Sequence, residues 1–233
     1  MRQYIELITI VSTRRILLKI EKIELQINHF KETVNFYKET LDFTSLDDNA
    51  DMAVFKIGES QLVLHKNEND SHYYHFAFNI PSNMFYAAKA WLASRVPLLT
   101  EDHQDEVHFN QRTQAYACYF EDPAGKIVEF IARTETSPAS SDRDFSANNV
   151  LSISEINLST DQILQYVQKM KEFGIPVRDE EIPTLSSINF MGEYEDGAFI
   201  LLGPLDRRWI FSQKTSISSP TLIHTDRGLV TNT

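Results

Sequence analysis

The stretch YFEDPAGKIVEF, residues 119–130, decides how the chain reads. Asp122-Pro123-Ala124-Gly125 has the chemistry of a tight turn. Proline fixes φ, glycine accepts positive φ, and the aspartate side chain bonds nearby backbone. The apolar flanks therefore read as two antiparallel strands of a hairpin. Glu129 is the exception, a carboxylate between Val128 and Phe130 in a strand that should be buried. Such a group is costly unless it is paired, protonated or bound to a metal.

Outward from the hairpin, one pattern occurs three times: an alternating strand, an amphipathic helix, then shorter strands. The leading strands contain Ile23, Leu25 and Ile27 in the first segment, Phe76, Phe78 and Ile80 in the second, and Ile156 and Leu158 in the third. Helical stripes follow at Phe30/Val34/Tyr37/Leu41, at Met84/Ala88/Trp91/Leu92 and at Ile163/Val167/Met170. Each apolar strand row needs a cover, which the following helix supplies. The opposite row must face something polar or a cavity. Residues 134–149, rich in Ser, Thr and Asp, read as a flexible linker, and the Ser/Thr-rich segment 214–233 as a tail without regular structure. Residues 1–19 read as an N-terminal extension. Its apolar run, Ile8 to Val11, is too short for a membrane span, and no cleavage site follows it.

The 233-residue chain is 42 % hydrophobic, enough to build a core, and has a formal net charge of −11. The acidic balance, without a basic stripe, argues against a nucleic-acid partner. A single cysteine, Cys118, excludes an intramolecular disulfide framework or a thiolate cluster and fits a reducing, cytoplasmic setting.

Three passages give the repeat a family resemblance: FYKETLDF (36–43), HFAF (75–78) and DPAGKIVEF (122–130). In that order and spacing they resemble the βαβββ modules of the vicinal oxygen chelate superfamily. That group includes glyoxalase I, bleomycin-resistance proteins, fosfomycin-resistance thiol transferases and extradiol ring-cleaving dioxygenases. The resemblance implies an α+β fold in which paired βαβββ modules form a cup-shaped mixed sheet. Residues 20–133 would form one two-module unit and 150–213 a third βαβββ module. The odd module would leave an open strand edge, and hence the expectation of a homodimer.

The resemblance also implies a metal in the cup, held by a His from the first strand of each module and a Glu from the last strand of the second. His75 and Glu129 match two of these positions. Counting back from Phe36 without a gap, the remaining His position falls on Lys22, whose ammonium has no lone pair to give. Three arrangements stay open. A shifted site could use His75, Glu129 and Glu24. His65 could serve instead, although Leu64 is the residue opposite the family position. Or Lys22 could be an internal cation that pairs with Glu129 in place of the metal. In the third module the same count puts Glu155 on the His position and Ile210 on the Glu position, which suggests no metal site there.

Two functions follow. The first is a glyoxalase/bleomycin-resistance/dioxygenase-like protein that binds a small organic molecule in a cup with a degenerate metal site. The second is a divalent-metal-dependent lyase, thiol transferase or ring-cleaving dioxygenase, with Glu129 and Lys22 as catalytic groups. The cofactor is accordingly one divalent ion (Zn, Ni, Mn or Fe) or none. No membrane partner is expected.

Overall fold

The computed structural model describes residues 17–68 and 72–232. The extension at 1–16 lies outside the described residues. Strand β1 (Ile20–Ile27) leads into α1 (Phe30–Asn35), which passes into a π-helical turn at Phe36–Thr40 and then β2 (Ser45–Asp48), β3 (Met52–Ile57) and β4 (Ser60–Lys66). The second module comprises β5 (His75–Ile80), α2 (Phe85–Ala93), β6 (Val107–Phe109), β7 (Ala115–Glu121) and β8 (Ile127–Arg133). The third comprises β9 (Ser152–Ser159), α3 (Ile163–Glu172), β10 (Asn189–Met191) and β11 (Phe199–Gly203). A final hairpin is formed by β12 (Thr221–Thr225) and β13 (Gly228–Thr231).

The strands make two mixed sheets. One runs β13-β12-β1-β4-β3-β2 and the other β10-β11-β9-β5-β8-β7-β6. The fold is α+β, and its modules pair, but the pairing differs from the expected one. Module two joins module three through antiparallel β5 and β9, with Ala77 opposite Glu155. Module one instead pairs with the C-terminal hairpin, Ile23 lying opposite Ile223. Module three thus finds its partner within the chain, which removes the open edge at β9 that suggested a homodimer. Module three also has one strand fewer after its helix than a βαβββ module.

The alternation of the leading strands carries through. Ile23, Leu25 and Ile27, Phe76, Phe78 and Ile80, and Ile156 and Leu158 are all buried in one core shared by both sheets and the helices. Burying each such side chain contributes roughly 1.5–3 kcal/mol. The linker is ordered rather than loose. Phe145 enters the core against Trp91 and Phe130, with ring centroids 5.4 and 5.9 Å away. Gly58, at φ +56°, turns β3 into β4 hard against the start of β9. A Cβ there would lie 2.0 Å from the Leu151 carbonyl oxygen, so only glycine fits both the conformation and the space.

The 122–125 turn forms as read. Gly125 takes φ +73° and its N–H donates to the Asp122 carbonyl at 2.8 Å. Asp122 Oδ1 accepts the Lys126 N–H at 2.9 Å, and Oδ2 accepts the Tyr37 hydroxyl at 3.0 Å. Burial pushes the Asp122 carboxyl up to about 6, against the pull of Lys126 and these donors. The hairpin of module two is thereby tied to the helix end of module one. Among the described residues no helix is long and apolar enough to cross a membrane.

Candidate functional site

The second face of the seven-stranded sheet is a cup. Its floor carries Ala77, Ala115, Ala117, Tyr119, Ile127 and Ile131. The segment 204–216 folds over it and buries Trp209 and Phe211. Glu101 clasps this cap: its carboxylate accepts the Phe211 N–H at 3.0 Å and pairs with Arg208. Lys214 holds the other end, donating to the Gly125 carbonyl at 2.8 Å and pairing with Glu121 at 3.0 Å. Beneath the cap lies a cavity of about 160 Å³.

Three ionisable side chains converge in the cup: His75 from β5, Glu129 from β8 and Glu155 from β9. One nitrogen or oxygen of each lies within 4.8 Å of the others, and all three residues are at most 5 % exposed. Register explains the convergence. Ala77 sits beside Glu129 on one side and opposite Glu155 on the other, and its small side chain leaves room for both. His75, two residues earlier on the same face, completes the group.

The hydrogen bonds restrict the protons. His75 Nδ1 lies 3.3 Å from the Ile127 carbonyl oxygen, which can only accept, so this contact places the proton on Nδ1. His75 Nε2 then faces Glu129 Oε2 at 3.3 Å. Two lone pairs cannot meet there without a proton or a cation between them. Tyr119, directly across from Glu129 in β7, is buried, and both burial and the Glu129 charge push its phenol well up. Glu155 pairs with buried Arg133, whose Nε donates to the Gly197 carbonyl at 3.1 Å. Burial raises the Glu155 pKa. Arg133 opposes that shift, and the Glu129 charge adds to it. Trp209 lies over His75, ring centroids 4.9 Å apart.

Of the residues singled out in the sequence, His75 and Glu129 come together and Lys22 and Glu24 do not join them. They lie on the outer face of the other sheet, where Lys22 Nζ pairs with Glu24 at 2.7 Å. The reason is the module pairing: β9, not β1, lies beside β5. His65 and His224 bind the same Glu24 carboxylate at 2.7 and 2.8 Å. Burial alone would raise the Glu24 pKa, but Lys22, His65 and His224 outweigh it and hold the pKa at about 2. A lowered carboxylate pKa adds stability above the unfolded value of about 4.5 that is lost as pH falls toward 2. Glu24→Gln should remove that slope while costing only about 1 kcal/mol at neutral pH, because its three partners are each about a third exposed and solvent screens the cluster. Urea midpoints from pH 7 down to about 2, which cover the fall from 4.5 to 2, check this. An unchanged slope would show that Glu24 is not its source.

Glu155 is a ligand-type residue in a module whose sequence pattern suggests no metal site, yet it joins His75 and Glu129. It occupies the expected His position of module three. The gap-free count puts its counterpart to Glu129 at Ile210, but the register places it at Leu201. Leu201 pairs with Asn157, two residues past Glu155, as Glu129 pairs with Ala77, two past His75. With a strand missing from module three, a gap-free count overshoots. Ile210 falls instead in the cap and lines the cavity. The fourth position of the pseudo-symmetric cup is thus an apolar leucine.

The model of the toxoflavin-degrading enzyme family matches residues 153–207. No curated protein matches the chain by sequence. Among solved structures, a putative dioxygenase from Bacillus subtilis superposes with a TM-score of 0.57 at 15 % identity, over 80 % of this chain and 63 % of that one. Glyoxalase I from Zea mays superposes with a TM-score of 0.53 at 13 % identity, over 79 % of this chain and 66 % of that one. The chain therefore spans just under two thirds of the length of each. With its curled mixed sheets and module-paired cup, the chain has the fold of the vicinal oxygen chelate superfamily.

Proposed function

We propose that the protein is an enzyme of the glyoxalase/dioxygenase type, acting on a small molecule in the cup with a divalent cation held by His75, Glu129 and Glu155. The observation that carries this reading is the contact between His75 Nε2 and the Glu129 carboxylate. A Nδ1–H directed at a backbone carbonyl fixes the tautomer and frees Nε2 as a ligand. One imidazole and two carboxylates form a hard, oxygen-rich set, better suited to manganese, iron or zinc than to soft ions. Leu201 in the fourth position would leave coordination sites for substrate.

Such a cation would polarise a substrate oxygen. The remaining work falls to the chain. The Arg133 guanidinium orients Glu155 and balances one of the two carboxylate charges. Tyr119 is positioned to hold a proton beside Glu129, and its raised pKa keeps it a donor. Trp209 and Phe211 exclude water above the site.

A second reading, a metal-free binding protein, is favoured by one specific observation. Arg133 already neutralises Glu155. A titration separates the two. For the metal-dependent enzyme, the protein treated with chelator and then dialysed should take up one Mn²⁺ per chain and gain about 2.7 kcal/mol of stability at a hundredfold excess over Kd. Glu129→Gln and Glu155→Gln should each abolish most of that gain, and Glu24→Gln none. No uptake, or uptake lost only in Glu24→Gln, would leave the metal-free reading in possession.

A further inference from the structure

The cap carries two hydrogen-bond donors, on Trp209 and Arg207, that the metal reading leaves unused. Trp209 lines the cavity and is 3 % exposed, yet its Nε1–H has no acceptor among the described residues. A buried donor without a partner is costly, and a ligand acceptor would remove that cost. Arg207 also lines the cavity, its guanidinium carbon 4.1 Å from the centroid of the Trp209 ring. Its one side-chain hydrogen bond runs to the neighbouring Arg208 carbonyl, at 3.0 Å. Among the described residues no carboxylate lies within ion-pair reach of it, whereas neighbouring Arg208 has Glu101. Burial and the adjacent Arg208 charge both lower the Arg207 pKa, as expected of a partly desolvated cation without a counter-charge.

Apart from Thr113 and the His75, Glu129 and Glu155 group at the floor, the wall is apolar and aromatic, with Phe109, Ile188, Phe190 and Leu201 facing the space. A volume of about 160 Å³ is close to that of an apolar cavity that takes up benzene, on the order of 150 Å³. The cup therefore offers room for one ring, flat walls to stack it, and a forked cation beside an unpaired N–H.

We propose that the cup recognises a single-ring aromatic or heteroaromatic acid, with its carboxylate held by Arg207 and by Trp209 Nε1. A guanidinium is suited to this role because its fork matches both oxygens of a planar anion. The proposal rests on the cup being the site of action, but not on a metal being there. Arg207 is then a specificity-determining residue, distinct from the His75, Glu129 and Glu155 group.

The test uses the full chain in EDTA, so that its outcome is independent of metal uptake. Trp91→Phe leaves Trp209 as the only tryptophan, since the sequence has two. Benzoate and the neutral isostere benzamide are titrated while Trp209 emission is followed. Benzoate should quench it saturably and bind at least about tenfold more tightly than benzamide. Arg207→Gln should bring benzoate affinity down to about that of benzamide, and saturable benzamide binding that persists in the variant reports an intact cup. Arg207→Lys should retain part of the preference. Equal affinity for the two compounds, an undiminished preference in Arg207→Gln, or no saturable quenching by benzoate at millimolar concentrations would each overturn the assignment. Failure of Mn²⁺ uptake with benzoate selectivity intact would overturn the metal reading alone.

Discussion

Arg133→Met should destabilise the fold by about 3–5 kcal/mol at neutral pH, because it leaves the Glu155 carboxylate buried without its partner. Arg133 and Glu155 are 3 % and 5 % exposed, and Glu129 lies close enough to add a second negative charge. Removing the guanidinium makes protonation of Glu155 the cheapest remedy, so its folded pKa should rise further above the unfolded value. A raised carboxylate pKa gives stability that is full at low pH and lost as pH rises through the folded value. The variant should thus recover more stability on acidification from pH 7 to about 5 than the unmodified protein, in which Asp122 and a less strongly raised Glu155 act in the same window. Adding Glu155→Leu to Arg133→Met should restore most of the loss, since replacing a buried pair by apolar groups is often neutral or better. If the metal reading holds, Mn²⁺ should also rescue the single variant, by supplying the missing positive charge. Urea midpoints across pH, with and without Mn²⁺, decide. A loss at pH 7 smaller than about 1 kcal/mol would mean that the pair is effectively solvated.

This pair also shows where the sequence stopped being legible. The hairpin at 119–130 and the three leading strands could be read because they depend on local alternation and turn chemistry, whereas the convergence of His75 with Glu129 was implied only by the family resemblance. Glu155 was visible at the expected ligand position of its module. A gap-free count puts its partner on apolar Ile210, because the count assumes a strand that module three lacks. The available signal was in SISEINLS, where Glu155 and Asn157 make one row polar and Ser154 interrupts the apolar row of Ile156 and Leu158. All three prove to be buried and to contact the network around the cup: Asn157 Oδ1, for example, accepts the His75 N–H at 2.6 Å.

The choice of sheet partner was not legible at all. β1 and β9 carry the same alternation, and either can pair antiparallel with β5. What selects β9 lies elsewhere: the close approach at Gly58, the burial of Phe145 in the connector, and a competing partner for β1. These are contacts between segments far apart in the chain, and no local pattern encodes them.

The competing partner is the C-terminal hairpin, and deleting it should have the other large effect. Its composition concealed it. Ser and Thr dominate 215–221, yet TLIHTDRGLVT contains two short β-branched runs around an Asp-Arg-Gly turn. Ile223 and Val230 are completely buried, and β12 pairs with β1 along its length. The approach to the hairpin also supports the cup entrance. Ser219 Oγ receives the Tyr73 N–H at 3.0 Å, and the Tyr74 hydroxyl donates to the Pro220 carbonyl at 2.7 Å, just ahead of His75. A chain ending at Ser216 would expose the apolar face beneath Ile223 and Val230, at roughly 1.5–3 kcal/mol for each side chain. It would also bare the β1 edge for pairing with other chains. The two side chains together, about 3–6 kcal/mol, already reach the lower end of a typical domain's stability of about 5–15 kcal/mol. The truncated chain should therefore be unfolded or aggregated at 25 °C, at about the temperature to which these energies refer. The milder Ile223→Ala should fold but lose about 2–5 kcal/mol. Circular dichroism and light scattering on the truncation, with urea melts on Ile223→Ala, provide the measurement. A monodisperse truncated chain with an unchanged urea midpoint would show that the hairpin is dispensable and that β1 is stable as an edge.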